Sequence, residues 1–228
     1  MQKVQVVAVS EPRIWTDAPG EPQKLTVDEF IAYVARVSNP SNQMNIVTAP
    51  KLLKYLAKHK HWSPFEMISI CMEITTTRDI ARQILRHRSF SFQEFSQRYA
   101  DPTQDMGFVT REARLQDTKN RQNSIETDDE SLSEMWEEMQ RHLTTKSKET
   151  YQWAIENGIA KEQARAVLPE GLIISRLYMA GSLRSWIHYA EVRTDVATQK
   201  EHREIALMAW DEIIKIFPSL SEVLSDTK

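Results

Sequence analysis

Five arginines, Arg78, Arg82, Arg86, Arg88 and Arg98, fall in a stretch of 21 residues that also holds His87 and only two acids, Asp79 and Glu94. The stretch carries net +3, whereas the whole chain carries −3. A guanidinium is a planar fork of donors that grips phosphate with two parallel hydrogen bonds. The stretch is therefore a candidate anion site. Composition leaves a second reading open: a solvated helix face bridged to the acids Glu134, Glu137 and Glu138. The residues after Arg88 add other chemistry. Ser89 to Arg98 mixes hydroxyls, amides, a carboxylate and a cation, the groups that would hydrogen-bond a pyrimidine edge and a ribose. Phe90, Phe92 and Phe95 read first as core.

Elements must hold these groups in place. Residues 3–9 are short and β-branched and predict a strand. Thr26 to Glu29 has the form of a capping box, opening a helix whose Phe30, Ile31, Val34 and Val37 share a face. Residues 39–47 read as a loop. Thr48-Ala49-Pro50 starts a helix with Leu52, Leu53 and Leu56 on one side. Residues 66–76 predict a strand. Thr77 is placed to cap a helix over 78–88, with Ile80, Ala81, Ile84 and Leu85 inward and Arg78, Arg82 and Arg86 at i, i+4 outward. Residues 101–130 lack a period and predict a long loop. A helix over 131–157 follows, acidic at its start and stopped by Gly158. Two more helices are predicted over 171–190 and 196–216. Mostly helix with a few strands is the α+β class, and the whole of 1–228 reads as one domain.

Bulk properties narrow the partners. The chain has 228 residues, 27% of them charged, enough to bury a sizeable core. A slightly acidic balance gives no global pull toward nucleic acid or an anionic membrane, so neither is an expected partner. The lone Cys71 excludes an intramolecular disulfide, and its apolar strand without a basic neighbour predicts a buried structural thiol. The start of the chain lacks a signal peptide's apolar core, and no apolar run approaches membrane-spanning length. A cytoplasmic location is expected. The six histidines show no metal-ligand spacing, and no metal is expected.

Arg86-His87-Arg88, seven residues, Ser96, one residue, Arg98 resembles the signature of the flavin-dependent thymidylate synthases. Other segments agree in order. His61-Trp62-Ser63-Pro64-Phe65-Glu66 is similar to a family segment ahead of a strand. Ala35-Arg36-Val37-Ser38 resembles the end of the family's first helix, and Ala164 to Pro169 its Ala-Arg-x-x-Leu-Pro segment. Arg184 and Arg193 fall at later family arginines. The resemblance runs from about residue 30 to 205. Departures are Met67 and Gln93, at positions often held by histidine and asparagine, and Ser182 and His188 in the late segment.

The resemblance implies a mostly helical fold around a small, largely antiparallel or mixed sheet. It implies methylation of dUMP to dTMP, with methylenetetrahydrofolate as carbon donor, NADPH as reductant and FAD as the hydride carrier. dUMP would meet Gln83, Arg86, Glu94, Ser96, Gln97, Arg98, Arg165 and Arg193. Arg193 and Ser96 would stand at the reacting base, Arg193 beside a carbonyl that gains charge and Ser96 as a ligand, since no histidine base is evident beside it. FAD would meet Ser38, Ser63, Glu66, Arg86, His87, Arg88, Glu94, Arg184 and His188, with His61 on the substrate or folate side. A homotetramer with shared sites is implied, and Trp136 and Trp153 suit either subunit contacts or core. The flavin-independent route needs an activated thiol, which Cys71 does not offer. Two other readings compete: a flavin-dependent reductase of other specificity, and a non-catalytic nucleotide- or RNA-binding module that stacks bases on the phenylalanines. No Gly-x-Gly-x-x-Gly fingerprint is present, so a pyridine nucleotide must bind outside the Rossmann pattern.

Overall fold

The computed structural model describes residues 2–16 and 22–224; the remainder of the expected 1–228 domain lies outside the described residues. β1 is Lys3–Val9. α1, Val27–Ala35, opens on the predicted capping box: Thr26 Oγ1 accepts from the Glu29 amide and the Glu29 carboxylate accepts from the Thr26 amide. α2 is Ala49–Lys58, with proline in its first turn where no amide is missed. A 3-10 turn over Ser63–Met67 leads to β2, Ser69–Thr77. Then come α3, Arg78–Ile84, β3, Ser91–Glu94, and the one-turn α4, Pro102–Asp105. β4, Arg114–Gln116, and β5, Ser124–Glu126, form a hairpin. α5, Glu130–Glu156, is capped by Asp129 and ends before Gly158, whose φ of 78° suits a residue without Cβ. The chain continues through α6, Lys161–Ala164, β6, Ile174–Ser182, α7, Leu183–Arg193, and α8, Lys200–Ile216.

The main sheet has the order β1-β2-β6-β3, and every pairing is antiparallel. Alternation decides its two faces. Ile70, Met72 and Ile74 of β2 and Leu177 and Met179 of β6 are fully buried in one core with Ile80, Ile84, Leu183, Trp186, Ile205 and Ile213 from the helices. The opposite face is polar. There Tyr178 donates to Glu73 Oε2 at 2.7 Å and Gln5 donates to Glu73 Oε1 at 3.1 Å, so three strands share one carboxylate. A smaller core joins Tyr151 and Ala154 of α5 to Ala164, Leu168 and Ile173.

Several sequence expectations change. Residues 171–190 are not one helix but β6 followed by α7. Ser175, Leu177 and Met179 are buried and alternate with exposed Arg176 and Tyr178. Leucine, methionine and alanine favour helix alone, but pairing on both sides makes this a central strand. The helix after Thr77 stops at Ile84, so Arg86 lies on a turn and leaves the i, i+4 series. Thr77 does not cap its amides; its hydroxyl donates to Asp79 Oδ1 at 2.6 Å instead. The strand over 66–76 begins only at Ser69, and Glu66 belongs to the 3-10 turn. The 39–47 loop holds a 3-10 turn at Pro40–Asn42, and the 101–130 loop holds α4 and the β4–β5 hairpin. The last long helix starts at Lys200 rather than 196. Val37 lies beyond α1 and is exposed. Cys71 is half-buried on the polar side of β2 rather than buried, and burial pushes its thiol up.

Candidate active site

Arg86 to Ser89 form the turn between α3 and β3. Phe90 pins this turn to the core. Its ring meets Trp186 edge-on at 4.9 Å, a contact worth about 0.5–1.5 kcal/mol beyond area burial. Gly181 of β6 makes room for it: a Cβ there would stand 2.5 Å from Phe90 Cδ1. With Phe90 seated, Arg86 and Arg88 point outward. Their side chains are exposed and make no hydrogen bond or ion pair among the described residues. Two unpaired guanidiniums suit a phosphate or diphosphate group.

His87 turns inward between them. Its Nε2 accepts from Arg193 Nε at 2.9 Å, and its ring meets Tyr189 edge-on at 4.9 Å. Burial pushes its pKa down to about 4, helped by the charges of Arg193, His188 and Arg86. Accepting through Nε2 leaves the proton on Nδ1 of a neutral ring. Arg193 is thereby held by its Nε at the end of α7, with its Nη groups left for a ligand. Gln83 lies behind them. Its Oε1 meets His202 Nδ1 at 3.2 Å and its Nε2 donates to Gln199 Oε1 at 2.8 Å.

β3 carries the second group. Glu94 accepts from Ser175 Oγ at 2.8 Å and stands 3.4 Å from Arg78 Nη1, both acid and arginine mostly buried. Past β3, the Phe95 amide bonds the Arg176 carbonyl, and Ser96 starts a turn that exposes Arg98. Arg98 Nη2 reaches Glu162 Oε2 at 3.2 Å, and Arg165 Nε donates to the Glu162 carbonyl at 3.3 Å. The two arginines thus converge on one residue. Gln97 is buried, and its Nε2 finds no acceptor among the described residues.

The third group sits at the start of α7. Ser182 caps that helix and donates to Glu66 Oε2 at 2.5 Å, while Arg184 Nε lies 3.5 Å from Glu66 Oε1. Ser185 links this group to the motif turn through the Ser89 carbonyl at 3.5 Å. His188 is exposed on α7, with Nδ1 3.8 Å from Glu191. Ser38, Ser63 and His61 are exposed and make no side-chain hydrogen bond or ion pair with these groups among the described residues.

The cations of the stretch do not bridge to Glu134, Glu137 or Glu138. Arg78, Arg82 and Arg98 pair with Glu94, Glu170 and Glu162, and Glu137 and Glu138 pair within α5 with Arg141 and His142. The solvated-face reading therefore fails in its stated partners. Residues that spacing does not reveal complete the site: Ser175 behind Glu94, Glu162 between the arginines, and Tyr189, Gln199 and His202 around Gln83. Only Gly181 leaves a signal, as an isolated glycine in an apolar run. A cavity of about 510 Å³ around Trp136 and Met139 reaches Gln199 and Glu201, and one of about 310 Å³ around Thr76 and Lys200 also touches Glu201. Arg86, Arg88 and Arg98 line neither and face open surface. No helix among the described residues is long and apolar enough to cross a membrane.

Comparison with known proteins agrees with the motif. Residues 23–219 match the family described as thymidylate synthase complementing protein. The chain is 50% identical over 221 residues to a flavin-dependent thymidylate synthase of Synechocystis, covering 97% of this chain and 98% of that one. It is 50% identical over 199 residues to a probable flavin-dependent thymidylate synthase of Paramecium bursaria Chlorella virus 1, covering 87% and 91%. In fold it is similar to the UMP/dUMP methylase PolB of Streptomyces cacaoi, with a TM-score of 0.80, 23% identity and coverage of 100% and 95%. This chain belongs to the flavin-dependent thymidylate synthase family.

Proposed function

We propose that the protein methylates dUMP at C5 to give dTMP, taking the carbon from methylenetetrahydrofolate and the reducing equivalents from NADPH. The balanced reaction converts dUMP, methylenetetrahydrofolate, NADPH and a proton to dTMP, tetrahydrofolate and NADP⁺. FAD, when bound and reduced, supplies the hydride that completes the methyl group. The exposed Arg86 and Arg88, with Glu66 and Arg184 behind the same turn, fit its anionic and polar parts.

The observation that carries the reading is that two arginine sets stand at the two ends of β3, one held at the motif turn before it and one past it. Arg98 and Arg165 meet at Glu162 and hold the nucleotide phosphate. Arg193, fixed by neutral His87, stands at the base and stabilises charge as it develops on a pyrimidine carbonyl. Gln83, Glu94, Ser96 and Gln97 complete the nucleotide site as ligands. Burial keeps the Cys71 thiol protonated, so it supplies no nucleophile. Ser38, Ser63, His61 and His188 line the flavin and folate side.

The chain is one domain over 1–228, works in the cytoplasm and assembles as a homotetramer. The open face of the site supports this, because a second copy would close it. So does an exposed apolar stripe on α5, Leu132, Met135, Trp136, Met139 and Leu143, at helical spacing. The direct test is spectroscopic. The purified protein should be yellow with FAD, and dUMP should perturb the flavin absorbance. A colourless protein that cannot be reconstituted with FAD would overturn this function.

A further inference from the structure

We propose that His202 and Tyr189 are positioning residues of the nucleotide site: with Gln199 and Glu201 they form a one-way hydrogen-bond relay that fixes the orientation of the Gln83 amide. The inference rests on the reading that Gln83 meets dUMP.

Direction in the relay comes from its anionic end. Glu201 Oε2 lies 2.9 Å from Gln199 Nε2. Burial would raise the Glu201 pKa, but its own backbone amide, Gln199, Arg111 and Arg114 outweigh this and hold it below the ordinary value. Arg111 Nη1 at 3.1 Å and Arg114 Nη2 also stop it from swinging away. An ionised carboxylate only accepts. Gln199 must therefore aim its NH₂ at Glu201 and its carbonyl at Gln83 Nε2, 2.8 Å away. Gln83 Oε1 must then accept from His202 Nδ1–H at 3.2 Å. That sets the tautomer, so His202 Nε2 accepts from the Tyr189 hydroxyl at 3.1 Å. Reversing Gln199 would set its carbonyl against the Glu201 carboxylate, and reversing Gln83 would set its carbonyl against that of Gln199.

His202 is fully buried, and burial pushes its pKa down to about 3, which keeps the ring in the neutral donor–acceptor form that the relay needs. The relay uses one N–H and one lone pair of Gln83. One N–H and one lone pair remain, in fixed order, for a ligand. The far end bears on the other half of the site, since the Tyr189 ring packs against His87, which holds Arg193. A merely structural His202 would support the fold without caring which end of Gln83 is the donor.

A double-mutant cycle separates these roles. dUMP is titrated by calorimetry into the FAD-loaded protein and into Gln83→Leu, His202→Leu, Gln199→Met and the two doubles that add Gln83→Leu. Each single variant should weaken dUMP about tenfold, the worth of one ligand hydrogen bond, with flavin content unchanged. Adding Gln83→Leu to His202→Leu or Gln199→Met should weaken it no further. Gln199 is exposed, so its variant carries the test if the buried His202→Leu does not fold. Unchanged affinity in Gln199→Met, or losses that multiply in the doubles, would overturn the relay while leaving the site reading intact. A wild-type protein that carries FAD but does not bind dUMP, or a Gln83→Leu variant that binds it normally, would overturn the site reading and the relay together.

Discussion

At the scale of residues, the site depends on imidazoles kept neutral. His87 and His202 are held at about 4 and about 3, each chiefly by burial and next by the charge of Arg193. In the unfolded chain both return to about 6.5. Between these limits the unfolded state binds more protons than the folded one. The stability they contribute is therefore complete above about pH 6.5 and lost as the pH falls through 4 toward 3. The melting temperature should drop between pH 7 and 4, and His202→Asn should flatten part of that drop. A wild-type melting temperature independent of pH over this range would contradict the assignment. Residue types made a candidate anion site legible, because arginines among hydroxyls and amides suit phosphate, and the spacing of the motif is what set it apart from a solvated helix face. Their partners were not legible. His87 and Arg193 are 106 positions apart, and Gln83 and His202 are 119 apart, so only the packing of α3 against α8 and of α8 against α7 brings them together.

At the scale of elements, the decisive feature is how the motif turn is tied to the sheet. β3 pairs with β6 from Ser91–Ala180 to Glu94–Leu177, and this register sets Phe90 over Gly181. Gly181→Ala should force the ring to move, because the added Cβ meets Phe90 at 2.5 and 2.8 Å. The expected result is about 1–3 kcal/mol lower stability, the usual range for overpacking, with weaker FAD retention because Arg86 and Arg88 shift with the turn. Chemical denaturation and flavin content measure both. A variant as stable and as yellow as the parent would contradict the anchoring role. β1, α1, α2 and α5 were legible because capping boxes, proline starts and periodicity are local signals. β6 was not. Its partners lie on both sides in space, and Leu177, Met179 and Ala180 suit a helix as well as a strand when taken alone.

At the scale of the whole molecule, one sheet face is buried under helices while the motif face and the α5 stripe stay open. The expected assembly is testable through that stripe. Trp136→Glu with Met139→Glu should turn a tetramer into smaller species in light scattering. A tetramer that survives both charges would place its contacts elsewhere. Glu137 and Glu138, rival partners for the arginines, pair within their own helix, and Arg86 and Arg88 stay free for a ligand. The central claim, methylation at C5 of dUMP, is tested most directly by tritium release from [5-³H]dUMP. With the FAD-loaded protein, NADPH and methylenetetrahydrofolate, tritium should appear in water in step with dTMP, and omitting either co-substrate should abolish turnover. Flavin-loaded protein that releases no tritium and forms no dTMP under those conditions would contradict it.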